Sequence, residues 1–151
     1  MQIYRLGTRA YPVWDGAGAA AAAGRWNPPG MPVIYASGSL ALAMLERLVQ
    51  RRNFRGTLVV EADVPDDLPI TDLLAAPPRN WRELNSPEAV EAGAAWLMAQ
   101  RTAVLRVPSA IVPREPNYVV NPAHSDAARI APSHPEELEW DSRLFGIPRP
   151  V

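Results

Sequence analysis

A chain of 151 residues is long enough for one domain with one sizeable core and too short for two of ordinary size. It is 48% hydrophobic and 21% charged, as globular chains are, and its formal net charge of −1 lacks the excess of cations that non-specific nucleic-acid binding needs. Without cysteine, and with only His124 and His134 to supply imidazole, it excludes disulfides, zinc–thiolate sites and thiol nucleophiles, and a structural metal is not expected.

Residues 3–6 (Ile-Tyr-Arg-Leu) read as a first short strand. Residues 10–30 are rich in Gly, Ala and Pro and read as a long connection with at most one helical turn, because glycines at 16, 18 and 24 oppose a long helix. Alanines 19–23 lack the cationic lead-in of a signal segment, and no apolar run reaches the roughly 20 residues of a membrane span. The expected setting is therefore the cytoplasm. Residues 32–36 (Pro-Val-Ile-Tyr-Ala) read as a second strand with proline at its edge. Ser37-Gly38-Ser39 then offers an N-cap for a helix running to about residue 52.

Residues 57–64 read as a third strand, stopped at Pro65. A second helix is expected from Ser86 as N-cap, with Pro87 at the first position and Glu88 in the first turn, to about residue 101. Residues 103–107, 118–121 and 138–143 are further strand candidates. Prolines make up 17 of the 151 residues and fall between the periodic segments, so short elements joined by rigid turns are expected. Two helices among about six short strands, with few β-α-β alternations, predict a compact single α+β domain over residues 1–151.

Two features carry chemistry. In the loop Gly24-Arg25-Trp26-Asn27-Pro28-Pro29-Gly30, a guanidinium sits beside an indole between glycine and proline. Such a loop suits an anionic ligand, because the guanidinium forks onto phosphate. Arg25 pairing with a carboxylate on the loop surface is the plain alternative. In the first long helix, at about 100° per residue, Leu42, Met44, Leu45, Leu48 and Val49 share a broad apolar arc. Glu46 falls roughly 40° beyond the edge of that arc. Its neighbours three and four positions away are Leu42, Ala43, Val49 and Gln50, none of them a cation, so the usual intrahelical ion pair is missing. Either Glu46 reaches out to water, or it faces a cleft beside the sheet with Tyr35 on the same rim.

Taken in order, the residues resemble the RES domain family. Tyr4-Arg5-Leu6 leads to Gly24-Arg25-Trp26-Asn27 with Pro29-Gly30, Val33-Ile34-Tyr35-Ala36-Ser37 and Ala43-Met44-Leu45-Glu46. Trp81, residues 93–97, Val107-Pro108-Ser109-Ala110, Asn117-Tyr118-Val119-Val120-Asn121-Pro122, His124 and Trp140-Asp141-Ser142-Arg143-Leu144 follow. The naming residues of the family fall on Arg25, Glu46 and Ser109; one departure is Ala23, where a second glycine is common.

The resemblance implies a fold like that of ADP-ribosyltransferases, with short strands in a split sheet and flanking helices. It also implies a toxin of a type II toxin–antitoxin pair that cleaves the nicotinamide–ribose bond of NAD+ by hydrolysis or phosphorolysis and arrests growth. NAD+ is then a substrate and no separate cofactor is needed. The partner is an Xre-like antitoxin, a homodimer within the complex is allowed, and neither direct nucleic-acid contact nor a membrane is expected. In this reading Glu46 stabilises positive charge on the ribose, and Arg25 meets the pyrophosphate. Tyr35 stacks on nicotinamide or its ribose, Ser109 bonds the ligand or orients Glu46, and Asn27 stands behind the site or touches a ribose. Two alternatives stay open: mono-ADP-ribosyl transfer to a host protein, and a non-catalytic module that only binds antitoxin. A Ser-His-Asp hydrolase has little support, since no Gly-x-Ser-x-Gly elbow is present.

Overall fold

Residues 1–50 and 54–146 are described by the computed structural model of the chain, so the expected end of the first long helix near residue 52 lies outside the described residues. In chain order the elements are β1 (Gln2–Thr8), α1 (Ala17–Ala22), β2 (Ile34–Ser37), α2 (Leu40–Val49), β3 (Thr57–Asp63) and β4 (Ile70–Asp72). They continue with α3 (Pro87–Ala99), β5 (Val104–Pro108), β6 (Pro116–Val120), β7 (Ala131–Pro132) and β8 (Glu136–Glu137). Short 3-10 turns occupy Ser125–Arg129 and Ser142–Phe145.

The strands form one mixed sheet in the order β4-β5-β6-β2-β1-β3-β7, with β8 also on β3. Only β4 and β5 run parallel, joined through α3; the other pairings are antiparallel. The sheet is nearly divided in the middle. β1 pairs with β3 along its whole length, from Gln2–Asp63 to Thr8–Thr57, but meets β2 in register only at Tyr4–Ser37. Beyond that point the two strands diverge. The Arg5 side chain reaches across the opening, and its Nη1 donates to the Tyr35 carbonyl at 2.8 Å. The expected split sheet takes this form.

Each face of the sheet carries its own core. Ile34, Val104, Tyr118 and Val120 pack with Ile3 and Ala62 on one side. The intervening residues Val33, Leu105, Val107 and Val119 pack with Trp26 and Trp96 on the other, beneath α3. That alternation follows from the period of two along a strand. Caps set the helix starts: Ser39 Oγ accepts the Leu42 N–H, and Ser86 Oγ accepts the Ala89 N–H with Pro87 following at the first position. α2 packs on β1 and β2, beside the split.

Two expectations need correction. Residues 138–143 do not form a strand; after Leu138 N–H bonds to the Thr57 carbonyl, the chain turns into the 3-10 segment Ser142–Phe145, which Asp141 caps. The alternation there comes from Trp140, which meets Phe54 and Phe145 in an aromatic cluster instead of a ladder. β4 was missed, as were β7 and β8, because segments of two or three residues are too short to show a period. Among the described residues no helix is long and apolar enough to cross a membrane.

Candidate active site

A cleft of about 1250 Å³ opens where β1 and β2 part, between α2 and the loop before β2. Its charged lining is Arg5, Arg9, Arg25, Arg47 and Arg55 against Asp15 and Glu46, in a molecule whose net charge is −1. Such a concentration of guanidinium groups in one concavity raises the local concentration of anions.

Glu46 stands on the wall of this cleft, half-buried on α2. Its Oε1 accepts hydrogen bonds from Ser109 Oγ at 2.8 Å and from Asn117 Nδ2 at 2.6 Å. Of the two readings open from the helix pattern, the cleft-facing one is what the fold adopts. Ser109 is fully buried just past β5, and its Oγ also accepts the backbone N–H groups of Ile111 and Val112, both at 3.1 Å. It touches the carboxylate and is sealed from the cleft, so of its two expected roles the geometry favours orienting Glu46.

Tyr35 and Asn27 form a second unit. The Tyr35 hydroxyl donates to Asn27 Oδ1 at 2.6 Å and accepts the Trp26 N–H at 3.0 Å. Asn27 is fully buried, and its Nδ2 donates to the carbonyls of Ala19, Pro28 and Met31. With its amide engaged on both sides, Asn27 supports the loop from behind and is not among the residues that line the cleft. Gly24 makes this closeness possible: a Cβ there would lie 2.4 Å from the Tyr35 hydroxyl and 2.8 Å from Asn27 Oδ1. Just before it, Ala23 holds φ 56° with ψ 165°, backbone that glycine adopts freely and alanine at a cost of about 1–3 kcal/mol. That conformation accounts for a preference for glycine at this position.

Arg25 reaches the cleft beside Tyr35 while its Nη1 donates to the carbonyls of Trp81 and Glu83, at 2.8 and 2.7 Å. These bonds fix the plane of the guanidinium. The alternative of a surface carboxylate partner is not realised: Arg25 is in none of the ion pairs among the described residues. Arg5 shares that property and was not singled out from the sequence. Burial holds its guanidinium below the ordinary arginine range, with Asp15 pulling back the other way. Its Nε and Nη1 donate to the carbonyls of Val13 and Tyr35, so the charge is held on the cleft wall by neutral acceptors, open to an anion entering the cleft.

Burial raises the Tyr35 phenol to about 12; the Trp26 N–H and the Arg25 charge pull in the opposite direction but do not win. The phenol therefore donates at every physiological pH. In an unfolded chain it ionises near 10, so the folding contribution is complete below pH 10 and is lost as pH rises toward 12. Two units correspond to about 3 kcal/mol. No lysine titrates in this window, because every cationic side chain other than histidine is arginine. Urea unfolding at pH 9 and 11.5 is expected to show this loss in the native chain and little of it in Tyr35→Phe. At pH 7 that variant should itself be about 1–3 kcal/mol weaker, with Asn27 Oδ1 and the Trp26 N–H left unpaired.

Sequence reasoning missed Asn117 and Ser37. Ser37 Oγ donates to Asn117 Oδ1 at 2.8 Å, and the two residues face each other across β2 and β6. The available signal was an asparagine and a serine inside strands that are otherwise apolar.

Residues 2–141 match the RES domain family. A relative from Sphingobium sp. (strain YBL2), named Prs ADP-ribosylating toxin, is 38% identical over 154 residues, covering 95% of this chain and 96% of its own length. Toxin Res of Yersinia enterocolitica is 34% identical over 155 residues, covering 95% and 99%. Toxin Res of Pseudomonas putida is 36% identical over 151 residues, covering 96% and 100%. Among solved structures, a chain of the M. tuberculosis MbcT–MbcA toxin–antitoxin complex superposes with a TM-score of 0.68 at 21% identity, over 91% of this chain and 83% of that one. That likeness is one of fold. The chain belongs to the RES domain family.

Proposed function

We propose that this RES-family chain is the toxin of a toxin–antitoxin pair and that it cleaves the nicotinamide–ribose bond of NAD+ in the cytoplasm. The observation that carries this reading is Glu46, a carboxylate held by two donors on the wall of a cleft whose charged lining is otherwise Asp15 and five arginines. Breaking the glycosidic bond returns its electron pair to the nicotinamide nitrogen, which leaves neutral, so no general acid is required. The ribose becomes oxocarbenium-like, and the Glu46 carboxylate stabilises that charge. Arg25 and Arg5 meet the pyrophosphate, and the Tyr35 ring offers a flat apolar surface to the nicotinamide end. NAD+ is consumed as a substrate.

Hydrolysis or phosphorolysis releases ADP-ribose or its phosphate. A second reading, transfer of ADP-ribose to a host protein, is favoured by the name of the Sphingobium relative. Purified chain with labelled NAD+ separates them: free labelled product, with and without phosphate, supports the first, and label on a protein band the second. Intact NAD+ in both arms leaves only a non-catalytic binding module. The partner is an antitoxin, of Xre-like type and possessing a segment that covers the cleft; NAD+ turnover unchanged on adding it would overturn that blocking role. A homodimer within the complex belongs to the same proposal.

Arg25→Ala tests the pyrophosphate assignment. Loss of a charge-assisted contact of about 1.5–3 kcal/mol should raise KM for NAD+ about 10- to 100-fold, with a smaller change in kcat. An unchanged KM would remove Arg25 from ligand binding.

A further inference from the structure

We infer that Ser37 and Asn117 are positioning residues that, with Ser109, present one chosen oxygen of Glu46 to the reacting ribose. Both hydrogen bonds to the carboxylate end on the same atom, Oε1. Each donor is fixed in its direction by something behind it. Ser109 Oγ already accepts two backbone N–H groups, so its single proton goes to Glu46. Asn117 Oδ1 already accepts the Ser37 hydroxyl, so its Nδ2 faces the carboxylate. A flipped amide would set a carbonyl oxygen against a carboxylate oxygen and surrender the serine bond.

The clamp is therefore one-sided. It pins Oε1 to Ser109, just past β5, and to Asn117 on β6, and leaves Oε2 outside both bonds on a residue that lines the cleft. Its location follows from the topology, because Ser37 is the β2 residue that still pairs with β1, at Tyr4, where the sheet divides. The side chain that orients the carboxylate is thus anchored at the apex of the opening that receives the ligand. Ser37 lines the cleft but is only 5% exposed, and its hydroxyl proton is committed to Asn117 Oδ1. It acts through Asn117.

The catalytic part of this inference rests on the proposed NAD+ cleavage, and the geometric part does not. Asn117→Ala is expected to lower kcat about 100-fold, the scale of a misplacement near 1 Å, with KM for NAD+ changed less than about twofold. Ser37→Ala should lose about tenfold in kcat, and Ser37→Thr, which keeps the hydroxyl, should recover most of it. Carbon-13 NMR of the Glu46 carboxyl at one fixed pH gives a second readout that needs no substrate. Removing a hydrogen-bond donor changes its chemical shift, more in Asn117→Ala than in Ser37→Ala. An unchanged chemical shift in Asn117→Ala overturns the clamp. A changed chemical shift with unchanged kcat, in a chain that consumes NAD+, overturns its catalytic role. Intact NAD+ in the native chain counts against the proposed reaction, and the chemical shift then decides the clamp alone.

Discussion

Glu46→Gln is expected to reduce NAD+ turnover by about 10²–10³-fold or more while leaving the fold in place. The magnitude follows from removing one preorganised group aimed at developing charge. Glutamine is the informative replacement because it keeps an oxygen where Oε1 stands, so Ser109 and Asn117 retain an acceptor at 2.8 and 2.6 Å. Only the charge is lost. Glu46→Ala removes the acceptor that both bonds share and leaves the fully buried Ser109 and the half-buried Asn117 without it, which mixes stability with catalysis. The matched pair separates the two: glutamine should be inactive and stable, alanine inactive and weaker by about 1–3 kcal/mol. Loss of NAD+ is followed in purified, antitoxin-free protein. Turnover by Glu46→Gln at the native rate would remove the carboxylate from the mechanism and, with it, the observation on which the proposed function rests.

The position of Glu46 was partly legible before any contact was known. Its helical neighbours include no cation, and the helix itself could be placed from the Ser39 cap and the apolar arc. What held the carboxylate was not legible, because Ser109 and Asn117 lie 63 and 71 residues further along the chain. Local pattern carries no information over that separation. Arg25 illustrates the converse. The sequence marked it as a ligand-facing cation, but its rigid plane comes from carbonyls 56 and 58 residues away. Asn27 drew attention as a polar loop residue and proves to be fully buried, spent on the loop's own carbonyls. Arg5 opened the ordered resemblance but was not marked for the site, since one cation in a short strand is ordinary until its place on the cleft wall is seen. The near-division of the sheet had the same limitation. It depends on β1 and β2 sharing a single registered pair, a property of two strands and of neither alone.

Gly93→Ala should be the most damaging single substitution outside the carboxylate, and its sign is diagnostic. In an exposed helix interior, alanine is better than glycine by about 1 kcal/mol, so propensity alone predicts a more stable protein. In α3 the added Cβ would lie 1.7 Å from the Trp26 carbonyl oxygen and 2.5 Å from its carbon. Both are backbone atoms, and no rotamer relieves the overlap. Either α3 moves away from the sheet, opening the core around Trp96 and Leu105, or the Arg25 loop moves. The loop is itself held, by the Trp26 N–H on the Tyr35 hydroxyl and by the Asn27 amide on three carbonyls. Overpacking of side chains commonly costs about 1–3 kcal/mol, and a backbone collision stands at or above the top of that range. A loss of about 3 kcal/mol in a chain of this length lowers Tm by roughly 6–12 °C. Since the displaced loop carries Arg25, KM for NAD+ should rise in the same variant, linking a helix glycine to ligand binding through one carbonyl. Differential scanning calorimetry and NAD+ kinetics on one preparation test both. A stabilised Gly93→Ala with native KM would mean that α3 does not press on the loop as the fold requires.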